Sequence, residues 1–261
     1  DEKILILNVD SQGVRDLLMK LKDKNEMKEI RVITYSGVSK AEGEIQYTII
    51  KPTIENTKYE VITGDMRSQF QLSVPGKHNV SNSIGVIIAA RILNIEDEGI
   101  QKALSSYTGI GRRFDKRGKV GNMTIIDDYA HHPTEIKATL ETCKMAGNNT
   151  KICVIFEPHQ VARLSLLFDS FVEALNIADT VIITKTFLGR EINKTAIARE
   201  RWQEALKEKL IYEEDYEKIA AYINGKAKDT FDYVVVCGAA NSYKISQRIL
   251  DYAQHEPPCL S

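Results

Sequence analysis

The 261-residue sequence lacks the glycine-rich motifs that usually mark a phosphate-binding loop. Neither G-x-x-x-x-G-K-[ST] nor G-x-G-x-x-G occurs, and no serine stands in a nucleophile elbow. No apolar run reaches the length that a bilayer-spanning helix needs, so no membrane partner is expected. These absences exclude the P-loop, dinucleotide-fingerprint and serine-hydrolase interpretations of the residues present.

Charge and cysteine content exclude further classes. The formal net charge is -1, which gives no bulk attraction to nucleic acid or to an anionic membrane. The four cysteines form no C-x-x-C pair, and three of them (Cys143, Cys153 and Cys237) lie in apolar segments. Buried thiols are typical of a reducing compartment, and no signal peptide is visible, so we expect a cytoplasmic protein.

The second half of the sequence alternates apolar strands with amphipathic helices. The predicted strands are 123–127, 151–156, 180–184 and 233–237, and the predicted helices are 134–146, 163–177, 195–208 and 241–253. Val- and Ile-rich strands in such an alternation indicate an α/β fold with a mostly parallel sheet covered on both faces. The Pro-containing polar tail that follows is predicted to be disordered.

The first half has a different pattern. The apolar residues 3–8 are typical of a central strand, and a helix over 11–24 and a strand over 31–35 follow. Short alternating runs between 44 and 74 predict antiparallel hairpins, and helices are predicted over 79–93 and 96–106. The segment Thr108–Asp115 has two glycines and several charges, which favours a domain boundary there.

The cluster Asp127-Asp128-Tyr129-Ala130-His131-His132-Pro133-Thr134-Glu135 follows the strand 123–127 and opens a helix. Open α/β sheets bind ligands at this position, because strand ends leave a crevice and helix N-termini offer free N–H groups. Asp128 could accept hydrogen bonds from ribose hydroxyls, and His131 and His132 could contact a phosphate or a carboxylate. Plain turn and cap chemistry is the alternative, and metal binding by adjacent histidines is disfavoured.

A second strand end carries His159 and Arg163, four residues apart within the run Phe156–Arg163. We expect the strand 151–156 to neighbour 123–127, so that both clusters border one crevice. A packing role for His159 is the alternative. The turn that starts at Gly238, between the last strand and the last helix, is either an anion nest or a plain turn.

Two further clusters lie outside these strand ends. In Pro75–Asn82, His78 and Asn82 share a helical face and could contact a purine edge, although a helix cap explains the same residues. At the boundary, Arg112 and Arg113 could bind phosphate or ribose through their rigid guanidinium forks. The alternative there is a solvated linker with a weak surface ion pair.

In this order and spacing the clusters resemble the Mur ligase family, the ATP-dependent amide ligases of peptidoglycan and hence cell wall synthesis. The stretches 75–79 with Asn82, 111–114 and 127–135 carry the resemblance, and Phe-Glu-Pro-His with Arg163 and the Gly238 turn agree more loosely. The resemblance implies that residues 1–112 are the latter part of an ATP-binding central domain. Residues 113–254 would then be a Rossmann-like C-terminal domain, followed by a tail over 255–261.

The resemblance also implies roles for individual residues. His78, Asn79 and Asn82 would lie at the adenine of ATP, and Arg113 and Asp128 at the phosphate and ribose region. Tyr129, His131, His159 and Arg163 would face the muramate carboxylate and the amino acid, with Arg113, His131, His159 and Arg163 taking part in catalysis. The UDP-binding domain, the P-loop and the ligands of Mg²⁺ would all precede Asp1. The residues given would then hold no metal and be inactive alone.

The implied reaction is activation of a carboxylate by ATP to an acyl phosphate, which an amine then attacks. The resemblance is greatest to family members that add L-alanine to UDP-N-acetylmuramate. Two departures stand out: Gln160-Val161 replaces an Arg-Tyr pair that is usual in those members, and Ala240 replaces a glycine. A ligase that recycles a tripeptide, a non-catalytic homologue and a free-standing nucleotide-binding module therefore stay open, and the oligomeric state is not indicated.

Overall fold

The computed structural model describes residues 3–22, 29–37, 43–189, 195–225 and 230–255. The chain forms two compact units, Asp1–Thr108 and Gly109–Ser261. Within the described residues, no helix is both long enough and apolar enough to cross a membrane. The predicted tail over 255–261 lies outside the described residues except for His255, where the last helix ends.

The first unit contains a mixed sheet in the order β1-β2-β3-β4-β5. Strands β1 to β3 are parallel, and β3 to β5 form the antiparallel hairpins that the sequence predicts. The strands are β1 Lys3–Asn8, β2 Ile30–Gly37, β3 Ile45–Pro52, β4 Thr57–Thr63 and β5 Met66–Leu72. The helices are α1 Gln12–Lys22, α2 Lys77–Ile92 and α3 Asp97–Ser106.

Helix α2 packs its buried side chains against this sheet, and the core includes Tyr59, Val80, Ile84 and Ile87. The buried hydroxyl of Tyr59 lies 2.7 Å from Ser83 Oγ, and burial raises the pKa of Tyr59 to about 12. The prediction that residues 3–8 form a central strand is wrong for the described residues. There β1 pairs with β2 alone, and most of its side chains are only half-buried.

The second unit contains a sheet in the order β10-β9-β8-β11-β7-β6, parallel except for the edge strand β6. This confirms the predicted α/β fold with a mostly parallel sheet. The strands are β6 Asp115–Val120, β7 Met123–Asp128, β8 Ile152–Phe156, β9 Thr180–Ile183, β10 Leu210–Tyr212 and β11 Tyr233–Cys237. The helices are α4 Pro133–Lys144, α5 Val161–Leu166, α6 Phe168–Leu175, α7 Arg199–Leu206, α8 Tyr216–Asn224 and α9 Tyr243–His255.

Three details differ from the sequence predictions. Strand β11 lies between β7 and β8, so the two strands that carry the histidine clusters are not neighbours as expected. The reason is that β11 is apolar on both faces and takes a central position, where nearly all of its side chains are buried. The helix predicted over 163–177 is divided at Leu167 into α5 and α6. Elements β6, β10 and α8 were not predicted.

The core of the second unit joins β7, β8 and β11 to helices on the sheet, with Ile155 among its fully buried residues. Cys143, Cys153 and Cys237 are free thiols buried in this unit, and burial raises the pKa of each. They are therefore packing residues rather than nucleophiles. Trp202, the single tryptophan, is fully buried, and its ring centroid lies 4.8 Å from that of Phe168.

We predict that Ile155→Ala destabilises the second unit by about 2–5 kcal/mol, because it removes buried methyl groups and leaves a cavity. Urea unfolding followed by Trp202 fluorescence measures this unit specifically. Leu166→Ala is the matched control, because Leu166 is 83% exposed. Its stability should stay within about 0.5 kcal/mol of the parent. Equal losses in both variants would contradict the assignment of Ile155 to the core.

Candidate active site

The candidate site lies at the carboxyl edge of the sheet in the second unit. The register pairs Cys237 with Asp128 on one side and with Phe156 on the other, so β7, β11 and β8 end at the same level. The three loops that follow these strands therefore lie side by side. In open α/β sheets this edge is where ligands bind.

Four aromatic rings connect the loops after β7, β8 and β9. Tyr129 contacts His131 edge-on, with centroids 5.4 Å apart, and His131 contacts His159 edge-on at 6.0 Å. His159 stacks on Phe187 at 5.4 Å with an interplanar angle of 9°. The structure thus brings His131 and His159 together although β11 separates their strands. Phe187 was missed from the sequence, because its loop has no recognisable pattern.

Backbone contacts hold His131 in one orientation. Its N–H donates to Glu135 Oε2 at 3.0 Å, and its Nδ1 lies 2.8 Å from the carbonyl oxygen of Tyr129. Because a carbonyl only accepts, this hydrogen bond places a proton on Nδ1 and leaves Nε2 available to a ligand. The neighbouring His132 has a different function: its Nδ1 accepts from Thr134 N at 3.3 Å and caps α4, which is the cap chemistry considered above.

The two boundary arginines lie in different environments. Arg113 is about half exposed, its Cζ is 5.4 Å from the Tyr129 ring centroid, and its Nη1 is 3.9 Å from Glu135 Oε1. Arg112 Nη2 instead donates to the carbonyl of Gly238 at 2.7 Å and to Ser242 Oγ at 2.8 Å. The guanidinium of Arg112 is thus engaged in structural contacts. Of the two arginines, Arg113 is the one that is open to a ligand.

Asp127 and Asp128 are both buried at the end of β7. Asp128 Oδ2 accepts from Phe114 N at 3.0 Å and Thr139 Oγ1 at 2.9 Å, and Oδ1 accepts from Ala130 N at 2.9 Å. Asp127 has Arg112 Nε at 3.4 Å from its Oδ2. Burial raises the pKa of both carboxyl groups, against the opposing effects of Arg112 on Asp127 and of the three donors on Asp128.

Glu157 follows β8 directly and is 2% exposed. Its Oε1 accepts from Asn241 N at 2.9 Å, and its Oε2 accepts from the hydroxyl of Tyr216 at 2.6 Å. This carboxylate therefore joins the loop after β8 to the loop after β11 and to α8. Glu157 was missed from the sequence, although an acid directly after the fully buried strand β8 is a signal for such a contact.

The loop that carries His159 is shaped by backbone hydrogen bonds. Phe187 N donates to the carbonyl of Pro158 at 2.8 Å, and Gln160 N donates to that of Phe187 at 3.3 Å. Gln160 has φ 64°, which is unusual for a residue with a side chain. Arg163 lies on α5, and its Nη1 is buried without a hydrogen-bond partner among the described residues.

The residues predicted for adenine lie on α2 of the first unit. His78 and Asn82 are exposed one turn apart. Asn79 Nδ2 donates to the carbonyl of Pro75 at 2.7 Å, and Gly76, with φ 101°, makes the turn before the helix. In the described part of the chain, no three His, Cys, Asp or Glu side chains are grouped to hold a metal ion.

The fold and this edge define the chain as a two-unit α/β protein with a candidate anion-binding site. The family model "Mur ligase middle domain" matches residues 1–90, and "Mur ligase, glutamate ligase domain" matches residues 112–240. The chain therefore belongs to the Mur ligase family.

Individual relatives agree with this membership. The chain is 35% identical over 254 residues, 95% of its length and 53% of the relative's, to UDP-N-acetylmuramate–L-alanine ligase of Caldicellulosiruptor saccharolyticus. The crystal structure of UDP-N-acetylmuramate-alanine ligase from Thermotoga maritima has TM-score 0.68 and 26% identity, over 85% of this chain and 48% of that one. The structure of MurF ligase from the same organism in complex with ADP has TM-score 0.68 and 20% identity, over 97% of this chain and 54% of that one. A likeness at this level of identity shows the fold alone. The chain spans about half the length of these relatives.

We predict that Asp127→Asn becomes more stable relative to the parent as pH rises. Burial raises the pKa of Asp127 in the folded state. The nearby charges of Asp115 and Asp128 raise it further, whereas those of Arg112 and Arg117 lower it without cancelling the effect of burial. The group's contribution to stability is therefore full below its unfolded pKa of about 4 and is lost as pH rises through the raised value. Asparagine does not ionise, so the variant does not lose stability in this way as pH rises. The measurement is urea unfolding by Trp202 fluorescence between about pH 3.5 and 7.

Glu141→Gln is the control for this series, because Glu141 is exposed in the middle of α4. Its stability relative to the parent should not follow the same trend with pH. A difference between Asp127→Asn and the parent that stays flat across the range, or falls with pH, would contradict a raised pKa for Asp127.

Proposed function

We propose that this chain supplies nucleotide- and amino-acid-binding parts of an ATP-dependent, ADP-forming ligase of peptidoglycan precursor synthesis. The proposed ligase joins L-alanine to UDP-N-acetylmuramate through an acyl phosphate. The meeting of His131 and His159 beside Arg113 at one sheet edge carries the proposal. The alignment with relatives of that name along almost the whole chain supports the choice of substrates.

The charges at the edge suit a reaction that brings anions together. Phosphoryl transfer to a carboxylate needs positive groups that offset repulsion and stabilise charge on the transferred oxygens. Arg113 is exposed enough to bind phosphate, and its contact with Tyr129 limits its motion. His131 presents Nε2, and the buried Nη1 of Arg163 is a donor that fits an anionic oxygen.

We assign Tyr129, His131, His159 and Arg163 to the muramate carboxylate and the amino acid. We assign His78 and Asn82 of the first unit to the adenine of ATP. Asn79 also supports this region, since its amide already holds the turn at Pro75. Asp128 acts at the ribose and phosphate region chiefly by fixing the backbone of Phe114, next to Arg113, and of Ala130, because three internal donors use its oxygens. The described residues form no site that fits Mg²⁺, and no step is assigned to it. Cytoplasmic location stays a prediction, supported by the three buried free thiols.

We expect the protein encoded by the complete gene to release phosphate from ATP in the presence of UDP-N-acetylmuramate and L-alanine. Serine, glycine and the L-alanyl tripeptide of the recycling reaction are the competing amines. A reaction without amine is the blank, since ATP turnover there is not ligation. A preference for the tripeptide would favour the recycling ligase, which shares the Phe156-Glu157-Pro158 start. No product with any amine would favour a non-catalytic homologue.

We predict that Arg113→Gln lowers kcat/KM about 10- to 100-fold, the cost of one charge-assisted contact to phosphate. Arg117→Gln is the matched control, because Arg117 is an exposed arginine four residues away that pairs with Asp115. Steady-state kinetics with varied ATP measures both variants, and the control should stay within about two-fold of the parent. Equal losses in the two variants would contradict phosphate binding by Arg113.

A further inference from the structure

Arg112 contacts the loops after two strands at once. Its Cζ lies 5.0 Å from the ring centroid of Tyr129, which follows β7, and 5.2 Å from that of Tyr243, where α9 begins. With the hydrogen bonds to Gly238 and Ser242, the guanidinium connects the loop after β7 to the turn after β11. Its Nε faces the buried carboxylate of Asp127 at 3.4 Å.

The backbone at Arg112 is held as firmly as its side chain. The carbonyl of Arg112 accepts from Tyr129 N at 2.7 Å, and Arg112 N donates to Asp115 Oδ2 at 3.2 Å. Arg112 has φ 61°, a conformation that costs free energy in a residue with a Cβ. Such a conformation persists where surrounding contacts impose it, and the contacts of Arg112 do so.

Tyr129 is the platform on which the ligand-facing groups depend. Arg113 lies over the same ring, at 5.4 Å, and His131 contacts that ring edge-on. The carbonyl of Tyr129 also orients the imidazole of His131 through Nδ1. A shift of Tyr129 therefore moves a phosphate-binding group and a carboxylate-facing group together.

We infer that Arg112 is a positioning residue, which fixes Tyr129 against the Gly238–Ser242 turn and thereby places Arg113 and His131 for reaction. It acts through these residues and does not touch the substrates. The inference rests on the proposed ligase function for its kinetic consequence, whereas the structural link itself is independent of that function. A purely structural ion pair with Asp127 would instead stabilise the fold without setting the geometry of the site.

The test compares Arg112→Gln and Arg112→Lys with Arg248→Gln. Glutamine has the same cost at positive φ as arginine but loses the fork and the charge, whereas lysine keeps the charge alone. Arg248 is an exposed arginine of α9 that pairs with Glu217 at 3.1 Å, so its variant removes a charge that takes no part in these contacts. All variants are measured well below their unfolding midpoints.

The first measurement is amide hydrogen exchange of the 261-residue chain by mass spectrometry. We expect Arg112→Gln to speed exchange about ten-fold or more in peptides containing Tyr129–His131 and Gly238–Ser242, and to leave strand β8 unchanged. The exchange rates of Arg112→Lys in these peptides should lie between those of the parent and of Arg112→Gln, and the rates of Arg248→Gln should match those of the parent. Uniformly faster exchange, or none in these two loops, would overturn the inference whatever the enzyme's activity is.

The second measurement is steady-state ligation by the protein encoded by the complete gene. We expect Arg112→Gln to lose about 10- to 100-fold in kcat/KM, because a misplaced group costs that much, and Arg112→Lys to recover part of it. Loosened loops with unchanged kcat/KM would overturn the positioning role. A parent without ligase activity would refute the proposed function instead, and the exchange result would then decide the structural link alone.

Discussion

The second unit depends on how it accommodates charge at the end of an almost wholly apolar sheet. Its central strands end at one level with Asp127, Asp128 and Glu157, three carboxyl groups that are buried or nearly so. Burying such groups costs free energy unless each finds a donor or a counter-ion. Three donors meet this demand for Asp128, and Tyr216 and Asn241 meet it for Glu157. Asp127 has Arg112 Nε 3.4 Å away, and neither of its carboxyl oxygens has a hydrogen-bond partner among the described residues.

Two of these groups, Arg112 and Glu157, also join segments that are distant in sequence. Arg112 and Asp127 connect the start of the unit to the turn at Gly238, and Glu157 connects the same turn to the loop after β8. Buried charge therefore sets the relative positions of the three loops. The more exposed groups, Arg113 and His131, lie on this frame and remain open to a ligand. The buried carboxyl groups are therefore engaged in internal contacts, whereas Arg113 and His131 are more exposed.

The sequence predicted the α/β class, the strand ends that carry the site, and the residues His131 and His159 that meet there. These features follow from local patterns, because hydrophobic periodicity and the residue types of turns depend on residues that are close in sequence. The position of β11 between β7 and β8 was not predictable in this way, since strand order depends on contacts between distant segments. The difference between Arg112 and Arg113 has the same origin: both are arginines in one turn, and contacts with the distant residues Gly238, Ser242 and Tyr243 hold the side chain of Arg112.

The departure at Gln160 can be separated from the architecture of the site. The turn that contains Gln160 is held by backbone hydrogen bonds between Pro158, Gln160 and Phe187, none of which uses the side chain of residue 160. Its positive φ is unfavourable for most side chains with a Cβ, so the backbone conformation does not select glutamine in particular. The side chain of residue 160 can therefore differ without changing the backbone contacts of the loop that carries His159.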